Sequence, residues 1–214
     1  MKTRNLFSSI ACGLFLMCGM NLYSQSDALV SWTGGTEFEW GAGTGYTLGW
    51  EFTANANLSV NALGIYDLGI SADDEVGIWT TSGTLLASAT VTPSTPESGD
   101  SFAWVATSPV TLSDGQTYLI GADYPAPVTD PFIYEASSVT TAPDITYITS
   151  ANSGDVGFAP PIASGAYNDA YFGPNFQYTI VSPVPEPSTL AQLGLGGIMM
   201  LGWGWRRLCA GRKS

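Results

Sequence analysis

The 214-residue sequence predicts an all-β fold: an antiparallel β-sandwich, jelly-roll-like, over residues 27–182, flanked by an N-terminal signal helix and a C-terminal transmembrane helix. Three observations predict it. Short segments alternate apolar and polar residues at period 2, the signature of half-buried strands. Turn residues punctuate these segments at roughly 8–12-residue intervals. No stretch between 27 and 182 carries a sustained i, i+3, i+4, i+7 apolar stripe, so helices have no support there. A hydrophobic content of 45% is enough for one cored domain of ordinary size.

Taken in order, residues 1–26 read as a signal peptide. Lys2 and Arg4 supply the positive start, Leu6 to Met20 the apolar run, and Ser24 and Ser26 the small residues before a cleavage at Asp27. Tyr46, Leu48, Trp50 and Phe52 then alternate with Thr47, Gly49 and Glu51 as one strand, and Leu58 to Tyr66 continues as the next. Val76 and Ile78 lie on a short strand that turns at Thr81-Ser82-Gly83-Thr84 into Leu85–Val91, a hairpin. Asp114-Gly115 turns into a strand through Tyr118, Ile120 and Ala122, and Phe176, Tyr178 and Ile180 close the domain. Tyr124 to Pro161, rich in Pro, Ser and Thr, predicts long loops between short strands. Residues 183–189 form a stiff Pro-rich linker, 190–205 an apolar segment, and 206–214 a basic tail. As a helix, Leu190 to Trp205 would be about 24 Å long against roughly 30 Å of hydrocarbon, a short span. The bases at both termini hold the ends in the cytoplasm and place the middle outside.

Charge narrows the function classes. The six bases (Lys2, Arg4, Arg206, Arg207, Arg212, Lys213) all lie at the ends, and the eighteen acids all lie between Asp27 and Glu186. Residues 27–205 therefore carry 18 acids and 0 bases, a formal charge of −18 where the whole chain shows −12. Phosphate backbones need Lys or Arg, so nucleic acid is excluded as a partner of the domain. The three cysteines, Cys12, Cys18 and Cys209, fall outside the domain, so no disulfide scaffold exists there. With no histidine in the chain, His-based triads and ordinary zinc sites are excluded as well.

Val184-Pro185-Glu186-Pro187-Ser188-Thr189, followed by the apolar run and Arg206-Arg207, resembles the PEP-CTERM sorting signal. That resemblance implies a membrane exosortase as partner, acting near Pro185, Glu186 and Pro187. It also implies transient inner-membrane anchoring, then release to the surface or medium of a Gram-negative bacterium that makes exopolysaccharide. Within the domain, Ala62-Leu63-Gly64-Ile65-Tyr66-Asp67, Glu75-Val76-Gly77-Ile78-Trp79 and Gly83 to Ala89 resemble a bacterial extracellular domain family of unknown function. Leu112 to Tyr118 and Phe172-Gly173-Pro174-Asn175-Phe176 fit the same family. The resemblance implies a β-sandwich outside the cell and carries no catalytic residue.

The residues offer three kinds of chemistry. Asp67, Asp73, Asp74 and Glu75 cluster around one loop, and hard oxygen ligands there suit Ca²⁺, the one cofactor the sequence suggests. Trp32 and Trp40 lie among glycines and polar residues, so they are the aromatics best placed for exposure and for stacking on sugar rings, whereas Trp50 belongs to the core. Glu37 with Glu39, or Asp73 with Glu75, could be nominated as a glycosidase acid pair. The reading is a structural or adhesive surface or extracellular-matrix protein, not an enzyme. The alternative is a carbohydrate-binding module for extracellular polysaccharide, and a carboxylate-based glycoside hydrolase ranks third.

Overall fold

The computed structural model describes residues 24–39, 45–125, 130–163 and 171–181. Residues 1–23 of the expected signal peptide, Trp40, and the whole tail with Pro185, Glu186, Pro187, Arg206 and Arg207 lie outside the described residues, whereas Ser26, expected as the last residue of the signal peptide, already pairs with Tyr178 in the first strand. Among the described residues there is no helix, and every strand pairing that builds the sheets is antiparallel.

Two sheets pack face to face. The smaller is ordered β1 (Ser26–Asp27), β12 (Pro174–Ile180), β4 (Leu58–Tyr66), β7 (Phe102–Leu112). The larger is ordered β11 (Ile162–Ala163), β10 (Ile145–Asp155), β3 (Tyr46–Ala54), β8 (Thr117–Tyr124), β5 (Asp74–Thr80), β6 (Leu85–Val91). The period-2 pattern explains which side of each strand is inside. Leu48, Trp50 and Phe52 of β3 face Phe176 and Tyr178 of β12, all buried. The rings interleave: Trp50 stacks on Phe176 at 6.2 Å between centroids, and Phe52 meets Phe176 at 4.9 Å. The Trp50 indole N–H is not left bare; it donates to the Pro174 carbonyl at 3.0 Å.

The outer face of the larger sheet is partly covered too. Gly49 pairs with Gly121 and Gly121 with Gly77, so three adjacent strands carry a row of glycines. The 157–161 segment lies on this row: Phe158 packs on Trp79 at 5.0 Å, and a Cβ at Gly121 would come within 3.2 Å of Pro161.

A third element is a ribbon of β2 (Leu29–Phe38) and β9 (Phe132–Thr141). It corrects the expectation of long loops from Tyr124 to Pro161. That stretch holds β9, 10 residues long, and β10, 11 residues long. Ser137, Ser138 and Thr140 of β9 and Thr146 of β10 take exposed strand positions rather than loops, while Ser150 of β10 is buried. The ribbon is fastened to the body by Asn175 of β12. Its side chain accepts from the Leu29 N–H at 2.8 Å and donates to the Leu29 carbonyl at 2.9 Å.

Candidate functional site: an aromatic groove beside Trp32

Trp32 stands on β2, half-buried, where the ribbon meets the smaller sheet. Tyr66 ends β4 and Phe102 begins β7; they are direct cross-strand partners, with rings 5.5 Å apart. Trp32 sets its ring edge-on to both, at 4.8 Å from Tyr66 and 6.4 Å from Phe102, each with an interplanar angle of 86°. Trp104 extends the row, stacked on Phe102 at 5.1 Å. The result is an open groove of about 310 Å³ lined by Val30, Trp32, Tyr66, Asp100, Ser101 and Phe102.

The groove has one fixed charge. Asp100 is exposed, and its carboxylate accepts from the Phe102 N–H at 3.1 Å, the Trp104 indole N–H at 3.0 Å and the Ser98 hydroxyl. Partial burial works to raise its pKa, but these donors outweigh it and hold the carboxyl below its usual range. Beside it, Ser101 sits at φ 66°, a left-handed backbone that a non-glycine residue adopts only where its surroundings enforce it. The enforcing contacts are the Ser98–Phe102 turn bonds and the Ser101 carbonyl, which accepts from Asp67 N–H at 2.9 Å. The groove thus joins aromatic walls to a rigid anionic acceptor, the pairing of apolar lining and few placed polar groups typical of small-ligand sites.

Of the two aromatics proposed from sequence, Trp32 forms this groove, while Trp40 lies outside the described residues. The sequence carries no signal that joins Tyr66, Phe102, Trp104 and Asp100, because they converge only through pairing between β4 and β7 and through the approach of β2.

The four acids proposed for Ca²⁺ go separate ways. Asp67 accepts from its own loop, from the N–H groups of Gly69 at 2.9 Å and Ile70 at 3.3 Å. Asp73 is exposed and Glu75 half-buried; strand alternation turns Glu75 to the opposite face from Asp74, which alone points into the interior. Among the described residues, no group of three or more acidic, histidine or cysteine side chains gathers in one place. The fold instead brings Asp130 to Asp74. Asp130 accepts from Ser71 N–H at 2.7 Å, Ser71 Oγ at 2.5 Å and Ala72 N–H at 3.0 Å, fastening the chain at Asp130 to the loop before β5. Burial first, and Asp130 second, push the Asp74 carboxyl up to about 9. As for the acid pairs, Glu37 and Glu39 are exposed, as is Asp73.

A second hollow of about 390 Å³ lies on the outer face of the larger sheet, lined by Glu51, Ser82, Leu119, Pro160, Pro161 and Ile162 among others. Glu51, raised by burial, is its one carboxyl.

The fold and the groove together define a class: an all-antiparallel β domain of two packed sheets with a solvent-open aromatic site at one edge. Within that class the chain belongs to the family described as Domain of unknown function (DUF4082), which matches residues 33–171. A PEP-CTERM protein-sorting motif matches residues 183–208. That motif implies export, transient membrane anchoring and processing by an exosortase in a bacterium. No curated protein matches the chain.

Proposed function

We propose that the exported β domain is an adhesive module at the surface or in the extracellular matrix of a Gram-negative bacterium, and that it adheres by holding extracellular polysaccharide in the Trp32 groove. The single observation that carries this is the Trp32–Tyr66–Phe102 arrangement, an open, aromatic-walled groove with the Asp100 carboxylate at its rim. Aromatic faces pack against the C–H faces of sugar rings, and a fixed carboxylate accepts from ring hydroxyls. Binding, not hydrolysis, is the activity we assign. Glycoside cleavage asks for two acids poised across a bond, one of them with a raised pKa; the groove is lined by one carboxyl, Asp100, whose pKa is lowered, and Asp27, raised by burial and by Asp100, is not among the lining residues. The sorting signal supports the setting, since it delivers the domain to the exterior.

The test is binding of the full chain, purified in detergent, to a panel of bacterial and algal polysaccharides. Saturable binding to at least one glycan is expected, with Trp32→Ala weakening it at least about tenfold and Asp100→Asn weakening it less. Absence of binding across the panel, or binding that Trp32→Ala leaves unchanged, would remove the groove from the function.

A further inference from the structure

The interior of this domain holds two interacting buried carboxyls, Asp74 and Asp130, for which none of the described residues supplies a counter-charge. Asp74 is 0% exposed and Asp130 2% exposed. Neither oxygen of Asp74 has a hydrogen-bond donor. The donors nearby are already used by Asp130: its Oδ1 accepts twice from Ser71 and its Oδ2 once from Ala72. No Lys, Arg or His exists between residues 27 and 205 to pair with either group. The hydroxyl of Tyr124, a residue 1% exposed, is likewise buried and unpartnered. The β5–β8 register pairs Val76 with Ala122; continued by two residues, it sets Asp74 opposite Tyr124 on the inward face. A buried carboxylate without donor or counter-charge is costly, so something must neutralise it.

We propose that Asp74 and Asp130 together bind a hard divalent cation, calcium by preference, within the described fold. Asp74 offers both of its oxygens, and Asp130 offers the lone pair of Oδ2 that Ala72 leaves unused. Two carboxylates match the charge of one such ion. Calcium accepts an irregular oxygen set completed by carbonyls or water, whereas magnesium demands near-octahedral order. The site differs from the acidic loop suggested by sequence, because Asp67, Asp73 and Glu75 take no part. It stands independently of the glycan reading, since it lies in the interior rather than in the groove. Its role is to tie the chain at Asp130 and the start of β5 into the body of the domain.

A single proton shared by the two carboxyls is the competing occupant, and the experiment separates them. The full chain in detergent is stripped with EDTA, then titrated with Ca²⁺, Mg²⁺ or Na⁺ while thermal unfolding is followed. Tb³⁺ luminescence, excited through the tyrosine and tryptophan rings, reports direct occupancy. Millimolar Ca²⁺ should raise the midpoint by about 5 °C or more, with Mg²⁺ giving less. Tb³⁺ emission should be sensitised and then displaced by Ca²⁺. Asp74→Asn and, separately, Asp130→Asn should abolish both signals, while Asp73→Asn, at an exposed neighbour, should keep them. No response of the unaltered chain to Ca²⁺ would overturn the proposal in favour of the shared proton, whatever the variants do. A response that survives Asp74→Asn would assign it to the acidic surface and overturn the proposal equally.

Discussion

At the scale of single residues, environment decides what each carboxyl does. Asp100 and Asp74 share a side chain and differ in every neighbour. Asp100, in solvent with three donors, stays charged and serves as an acceptor in the groove. Asp74, inside with none, favours its neutral form when no metal is present. The sign of the pH dependence follows. The folded-state pKa of Asp74, about 9, lies above its ordinary 3.8, so the folded chain keeps a proton that the unfolded chain releases. Its contribution to stability is fully present below about pH 4, declines as pH rises, and levels off beyond about 9. Each pH unit in that window costs at most about 1.4 kcal/mol. Asp130, Asp123, Asp73 and the Tyr124 hydroxyl interact with Asp74, and the upward shifts of Asp27, Glu51 and Asp123 act in the same direction. In EDTA, urea unfolding should therefore give a more stable protein at pH 5 than at pH 8.5, and Asp74→Asn should remove most of the difference. An equal slope in the variant would show that other carboxyls carry it.

At the scale of elements, β2 is the strand that carries Trp32 of the proposed site and the one least visible in the sequence. Tyr46 to Phe52, Leu58 to Tyr66 and Phe176 to Ile180 were legible because large apolar side chains recur at every second position on the core face, although Thr47–Trp50 and Ala62–Ile65 are buried throughout. β2 buries only Leu29 fully along its length, and β9 and β10 keep many positions open, so no alternating pattern is imposed on them. β7 likewise carries exposed Ala106, Ser108, Pro109 and Thr111 in its second half, before the buried Leu112. Trp32 was legible as an aromatic set apart from the core strands, though it is half-buried rather than exposed; its partners were not legible, since Tyr66 and Phe102 are 36 residues apart and join only through β4–β7 register. The ribbon is attached through the Ile133–Phe172 backbone bridge, at 2.7 and 2.9 Å, and through Asn175, fully buried, which also accepts from the Phe176 N–H at 2.9 Å. Asn175→Ala leaves the Leu29 N–H and carbonyl and the Phe176 N–H short of a partner, and should cost about 3 kcal/mol in urea unfolding. Hydrogen exchange should show β2 amides opening more than those of β3 or β8. A uniform loss of protection would mean that the ribbon is not separately fastened.

At the scale of the whole molecule, the charge distribution sets how stability responds to solvent. A domain with acids and no bases has no salt bridge to lose, so its electrostatics are one-sided repulsion. Its fold rests on the Trp50–Phe52–Phe176 core and on backbone pairing across two sheets. For a domain that the sorting motif implies is exported, dissolved cations would relieve that repulsion by screening. Monovalent salt tests this apart from any specific metal site. Raising NaCl from 20 to 500 mM in EDTA shortens the Debye length from roughly 20 Å to about 4 Å, below the spacing of most surface acids. The melting midpoint should rise with NaCl and should rise similarly in Asp74→Asn, because screening acts on the surface and not on the buried pair. A protein held by surface ion pairs would respond in the opposite sense. A midpoint that falls or stays flat with NaCl would therefore mean that the surface acids are too dispersed for their repulsion to weigh on the fold.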